Sequence, residues 1–481
     1  MVSRVVRVRS SDDGVAAHTL REGIAAVQAD MKVSPDFPED VEKAAAAAAA
    51  DPRLPELDRT DIPFVTVDPE GARDLDQALH LERSGDGFLV HYAIADLAAF
   101  ITPGDPVDVE ANRRGETLYG ADSKVPLHPT AISEDAGSLL PDQVRPALLW
   151  SLTLDATGEG TGVTVERALV RSRAQLTYDQ VQASIDDGSA DQVFGLLREV
   201  GTLRLEREAR NGGVSLPLPE QEIDIVEDRW HLEFRSQHPV EQWNAQISLL
   251  TGMAAAHLMI EGRTGLLRTL PPADPRDVRR LRLAAKALHI DWPETMDYPE
   301  LIRSLDPALP NHAAMVVACT RLLRGSGYVG FHGEVPAQPG HAALAAEYAH
   351  CTAPLRRLVD RYAGEICLAL CAGTDVPEWV LEKLDEVPET MRESGRRAHQ
   401  YENAVLALVE AASLQSRIGE TFTGVVVEVD EKNDTRGEIT VQEPAVEAAV
   451  TGAHALPLGE EVEVTLVTAD PGTRKVEFRL D

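Results

Sequence analysis

Basic residues are in short supply: 46 lysines and arginines stand against 79 aspartates and glutamates, for a net charge of −33. A chain this acidic is ill suited to broad, non-specific capture of polyanions, because gripping phosphates takes a basic face. It leaves room for a local basic channel, and over most of the chain the acid excess serves solubility. Cysteine is scarce and unpatterned. Cys319, Cys351, Cys367 and Cys371 show no CxxC spacing, which favours buried thiols over zinc ligands or disulfides. No apolar run approaches a membrane span, and the basic stretch 1–12 leads into no apolar core of signal-peptide length. The expectation is a cytoplasmic protein without membrane contact. There is no internal repeat and no nucleophile elbow for a Ser or Cys triad. Gly325-Ser-Gly-Tyr-Val-Gly330 has dinucleotide-fingerprint spacing, yet a helical pattern precedes it and Gly/Pro-rich sequence follows. No nucleotide cofactor is expected there.

What is present suffices for more than one domain: 481 residues, 43% hydrophobic and 26% charged, ordinary for a globular α+β protein. Residues 1–60 read as a separate helical section, with helices over Thr19–Met31 and Val41–Ala50, the second stopped by Asp51-Pro52. From 61 to 415 strands and helices mix. Ala78–Leu81 and Phe88–Ile94 pair across Ser84-Gly-Asp-Gly87, and Leu148–Leu154 with Gly162–Val170 form a second pair. Helices are expected over Pro239–Met259, Asn311–Leu323, Pro354–Leu370 and Pro388–Arg417. Residues 418–481 alternate as short strands, consistent with a five-stranded OB-type β-barrel. That segment holds five Lys/Arg against fourteen Asp/Glu and only two aromatics, Phe422 and Phe478. Single-strand binders need stacking platforms and a basic groove, and this segment offers little of either.

The most informative segment is Phe64-Val-Thr-Val-Asp-Pro-Glu-Gly-Ala-Arg-Asp-Leu-Asp-Gln77. A strand-like run delivers Asp68, and a loop returns the chain to Asp74 and Asp76, which share a face if extended. Convergent carboxylates repel unless a cation sits between them, and hard oxygen ligands favour Mg²⁺ or Mn²⁺. The pattern points to metal-assisted phosphoryl chemistry; the alternative is turn capping by Asp in a Gly/Pro loop.

The segment resembles the signature of the ribonuclease II (RNB) family, an Asp, five intervening residues, then Asp-x-Asp-Asp-Ala. Asp68, Asp74 and Asp76 match, and Gln77 stands where the family has its fourth Asp. The resemblance continues in order through Tyr92-Ala-Ile-Ala-Asp96, Pro103-Gly104-Asp105, Thr117-Leu-Tyr119, Ser138-Leu-Leu-Pro141 and Tyr348-Ala-His-Cys-Thr-Ala-Pro-Leu-Arg356-Arg357. It implies an RNB catalytic domain, a mixed sheet with surrounding helices. The implied activity is Mg²⁺-dependent hydrolysis of single-stranded RNA from the 3′ end, releasing nucleoside 5′-monophosphates, with Mn²⁺ as a substitute.

By the same resemblance, Asp68, Asp74, Asp76 and Gln77 hold metal, and Asp76 ranks first for catalysis. Arg356 stabilises the transition state from near a helix start; on sequence alone it could equally be a surface arginine paired with Asp360. Tyr119 stacks on the terminal base. A second clamp aromatic is expected further on, and 214–219 offers none. Glu241 contacts ribose or base, or serves as helix-start charge. Arg357 is a phosphate contact or surface charge, and His350 touches RNA or is structural. The family's small RNA-binding barrels would precede the catalytic domain, and 1–60 is too short for two. The partner is single-stranded RNA, with a monomer favoured. Two rivals stay open: a catalytically silent RNA-binding or adaptor protein, and a non-nucleolytic metal-dependent hydrolase.

Overall fold

A computed structural model describes residues 6–11, 15–121, 123–216, 220–226, 229–235 and 237–481. The mixed sheet closes on itself. Phe64–Asp68, Gln77–Ser84, Gly87–Ala95, Val144–Leu154 and Gly160–Thr177 form a five-stranded barrel. Successive strands pair antiparallel, and a parallel pairing of first with last, Asp68 opposite Thr177, seals it. The expected hairpin forms at 84–87, with Gly85 at φ +60°, as a primed two-residue turn requires. Tyr92 lies opposite Trp150 across the sheet, and both are buried.

Helices pack around this barrel. Pro239–Glu261 starts with proline in its first turn and a capping box between His238 and Glu241. It crosses Gln192–Arg210 so closely that a Cβ on Gly201 would lie 2.4 Å from Trp243 Cβ and 2.7 Å from its Cα. Only glycine lets these two backbones approach so near. Leu358–Ala372 packs on the other side of Pro239–Glu261 and buries most of its length.

Two expectations about boundaries are corrected. The section 1–60 is neither purely helical nor separate. Val6–Ser11 is a strand that pairs parallel with Glu220–Val226, itself paired with Arg229–Arg235. The helix Val15–Met31 packs Leu20, Ile24 and Val27 onto Leu408 and neighbours of the 29-residue helix Glu386–Leu414. Burial of that apolar stripe, worth roughly 1.5–3 kcal/mol per large side chain, ties the section down. The helix expected from Pro354 starts at Leu358 instead. Asp360 accepts a hydrogen bond from Ala353 N–H at 2.7 Å, bending 353–357 into a turn ahead of it.

The long helix Glu386–Leu414 leads through a short turn, Gln415–Arg417, to the second closed barrel. Thr421–Asp430, Asn433–Val441, Val446–Gly452, Lys475–Leu480 and Glu461–Asp470 are its neighbours in that order, the OB arrangement. Phe422 and Phe478 meet in its core, with ring centroids 5.6 Å apart, so neither is a stacking platform. Among the described residues no helix is long and apolar enough to cross a membrane.

Candidate active site

The acidic loop is held in place by its backbone. Leu75, fully buried, donates its N–H to Ser138 Oγ at 2.9 Å, and Leu139 N–H donates to Leu75 O at 3.0 Å. Ala95 N–H donates to Asp76 O at 2.9 Å just before Asp76 enters the strand at Gln77. Ser138 thus has a positioning task. Asp96 and Asp105, from the neighbouring motifs, accept from Ala98 N–H and Asp108 N–H and cap the elements they precede.

Asp76 is the pivot. Its Oδ1 accepts from Leu355 N–H at 2.8 Å, and its Oδ2 lies 3.5 Å from Arg356 Nε. The two distant motifs therefore meet on one carboxyl. Burial pushes Asp76 up to about 8 against the pull of Arg356 and the Leu355 amide, with Asp74 and Asp360 adding to the rise. Burial likewise lifts Asp68 to about 7, opposed by Arg356 and reinforced by Asp74. The four groups form one electrostatic unit. Arg356 lies near a helix start, as expected, in the turn just before the N-cap Arg357, with 43% of its side chain exposed. It does not pair with Asp360. Arg357 does, with its Nε at 2.9 Å and Nη2 at 2.8 Å from that carboxylate.

Asp74 is engaged on both oxygens, by Lys124 Nζ at 3.0 Å and by Tyr119 hydroxyl at 3.4 Å. Lys124 and Tyr119 face each other across a two-residue ladder, and Lys124 also reaches Glu134 at 3.0 Å. Sequence reading missed Lys124, because only the hairpin brings it to the acids.

The expected metal role of Gln77 is not what the geometry offers. Its amide nitrogen donates to Thr352 O at 2.7 Å, and its oxygen accepts from Tyr92 and Ser248 hydroxyls, the latter at 3.3 Å. Both ends of the carboxamide are spent on crosslinking strand, loop and helix. Glu241 closes the capping box by accepting from His238 N–H at 2.8 Å and pairs with Arg235 at 2.6 and 3.0 Å. That is the helix-start role, with its oxygens committed.

His350 stands in an aromatic wall that sequence reading did not assemble. Its Nδ1 is 2.6 Å from Tyr328 hydroxyl, and Tyr348 meets it edge-on at 5.3 Å. Arg268 lies over the Tyr328 ring at 4.6 Å. Burial, then Arg357, Arg268 and Arg356, hold the His350 imidazole well below its usual range, so it is neutral. The signal in the sequence was Tyr328, inside the glycine-rich segment dismissed as a cofactor loop, which forms the strand Gly327–His332. Of the segment 214–219, which offers no second clamp aromatic, residues 217–219 lie outside the described residues.

The donor set fits a hard divalent cation in part. Asp68 Oδ2 is buried without any hydrogen-bond partner, and it belongs to the same electrostatic unit as Asp74 and Asp76. Among the described residues, no three of His, Cys, Asp and Glu converge into a ready-made cage. Mg²⁺ needs none, since one or two carboxylates with waters and substrate phosphate suffice.

Comparison with known proteins bears on the family and the fold. Residues 57–370 match the family model described as the RNB domain, and 420–481 match the RNase II-type exonuclease C-terminal S1 domain. Ribonuclease R of Aquifex aeolicus is 26% identical over 452 residues, which cover 86% of this chain and 63% of that protein. The chain thus spans less than two thirds of that relative's length. Among solved structures, Mycoplasma genitalium RNase R in complex with ribose-methylated single-stranded RNA aligns with a TM-score of 0.84 at 18% identity, covering 96% of this chain and 78% of its own. Yeast Ssd1, a pseudonuclease, aligns at 0.70 with 17% identity, covering 95% and 57%. With its domain model matched over most of the length and its motifs converging on Asp76, the chain belongs to the RNB family.

Proposed function

We propose that this protein hydrolyses single-stranded RNA from its 3′ end and releases nucleoside 5′-monophosphates. The observation that carries the reading is Asp76, gripped by Leu355 N–H and set beside Arg356. Asp68, Asp74 and Asp76 would hold Mg²⁺, which when bound supplies charge neutralisation for the phosphate and a more acidic water. Arg356 offers a permanently charged, bidentate partner for the scissile phosphate. Its exposure lets it trade part of its contact with Asp76 for substrate. Tyr119, 38% exposed beside Asp74, presents a ring for stacking that tolerates any base. Neutral His350 and Tyr328 offer a hydrogen-bonding wall for ribose, where a 2′-hydroxyl can be told from hydrogen. Lys124, held between Asp74 and Glu134, already supplies one positive charge to a site where neutral Gln77 replaces the family's fourth acid. That balance favours a single-cation site.

The test is nucleotide release from a 5′-labelled single-stranded RNA with Mg²⁺ or Mn²⁺, beside Asp76→Asn. A ladder that vanishes in the variant supports the reading; activity that survives Asp76→Asn, or equal digestion of matched DNA, overturns it. A second reading, a silent RNA-binding adaptor, is favoured by the engagement of Gln77 in the core and by the likeness to a pseudonuclease fold. RNA binding without release under either metal would establish it.

A further inference from the structure

Away from the acids, a cleft of about 520 Å³ lies between the hairpin of Val144–Leu154 and Gly160–Thr177 and the helices Gln192–Arg210 and Pro239–Glu261. One wall is apolar along Leu152, Leu250, Met253 and Leu258, Arg204 lies at its base, and Glu261 and Glu347 also line it. None of Asp68, Asp74, Asp76 or Arg356 lines it. The size suits a small organic ligand.

Arg204 is an unusual floor. It is 3% exposed, yet no carboxylate pairs with it among the described residues. Its Nη1 donates to Gly158 O at 3.1 Å, Nη2 turns to the thioether of Met253 at 3.1 Å, and Nε has no acceptor. The two acids that act on Arg204 are taken. Glu159 is bound by Arg207, whose Nη2 lies at 2.9 Å, and Glu208 by Gln246 and Ser215, both at 2.7 Å. A buried guanidinium is expected to have a matched oxyanion, and a thioether is a poor substitute. Met253 is unbranched and half-buried, the kind of side chain that can move aside.

We propose that this cleft is a binding site for a small organic oxyanion, its apolar body against the Leu152–Leu258 wall and its phosphate or carboxylate on Arg204. The occupant takes the two N–H directions that now end on sulfur or on nothing. The assignment stands independently of the nuclease reading, since it uses none of those residues.

Gly160 allows a clean block. A Cβ there would meet only Leu250 at 3.8 Å, an ordinary contact, so Gly160→Phe fills the cleft without backbone strain. Calorimetric titration of the full chain with AMP, with hexanoate and with inorganic phosphate is the experiment. AMP or hexanoate should bind, inorganic phosphate at least about tenfold more weakly, and both Gly160→Phe and Arg204→Met should cut the organic probe's affinity about tenfold or more. Binding of AMP alone assigns a phosphate ester, and of hexanoate alone a carboxylate. If Arg204→Met fails to fold, Gly160→Phe decides. Failure of both organic probes, equal binding of inorganic phosphate, or AMP binding unchanged in Gly160→Phe overturns the proposal, the last placing AMP at the catalytic acids.

Discussion

Arg357 turns its Nε and Nη2 onto Asp360, whereas Arg356 leaves 43% of its side chain exposed beside Asp76. Adjacent in sequence, the two arginines should fail in different ways. Arg357→Ala strands the buried Asp360 carboxylate and should cost about 3–5 kcal/mol in urea unfolding. Arg356→Ala should leave the urea midpoint nearly unchanged and lower kcat about 10²–10³-fold, the scale of losing one transition-state donor. Lys124 gives a second test at this scale. Because its ammonium occupies an oxygen of Asp74, Lys124→Met should tighten Mn²⁺ binding, about tenfold by paramagnetic titration, or ~1.4 kcal/mol. Asp76 and Arg356 were legible in the sequence only through motif order, because nothing local brings residues so far apart together. Lys124 and Arg268 belong to no local pattern and had to await the fold.

Among elements, the segment 115–117 is stitched to the arginine turn: Thr117 N–H donates to Arg356 O at 3.0 Å and Leu358 N–H to Gly115 O at 2.9 Å. Glu116 lies within that seam with Oε1 unpartnered. Burial pushes its carboxyl up to about 7, opposed by Arg357 and Ser394. A raised folded-state pKa means the unfolded chain releases its proton first, so stability drains as pH climbs from about 4.5 to about 7 and is level above. Glu116→Gln should remove that slope and raise Tm at pH 8 more than at pH 5, read by calorimetry. The helix crossing at Gly201 gives a packing test. Gly201→Val must displace Trp243 backbone and should cost about 1–3 kcal/mol or more in thermal unfolding. Helices and hairpins with clear periods were legible along the chain. The strand Val6–Ser11 was not, though Val6 and Val8 alternate with Arg7 and Arg9, because a six-residue strand is defined by its partner at 220–226. Nor does alternation say whether a sheet stays open or closes; the Asp68–Thr177 pairing decides that.

For the whole molecule, charge is unevenly spread. The helix Pro275–Ala287 turns Arg276, Arg279, Arg280 and Lys286 to solvent on one face, with Leu283 70% exposed among them. In a chain of net charge −33 this stripe is a concentrated basic surface. Its neighbour, the C-terminal barrel, has fourteen Asp/Glu against five Lys/Arg. Reversing those four residues to Glu should weaken RNA binding and reduce the salt slope by about 0.7 for each phosphate no longer neutralised, with unfolding free energy little changed. A filter-binding series across KCl concentrations would show it. The sequence total hid the stripe because net charge carries no information about placement.

The hydrogen bond from Leu355 to Asp76 spans 279 positions, and that has a meaning for synthesis. Chains leave the ribosome from the amino end, and domains fold as they emerge. A nascent copy would own its acids and its closed barrel long before the guanidinium that completes them. Under the nuclease reading, an unfinished copy is therefore harmless to the very message being translated.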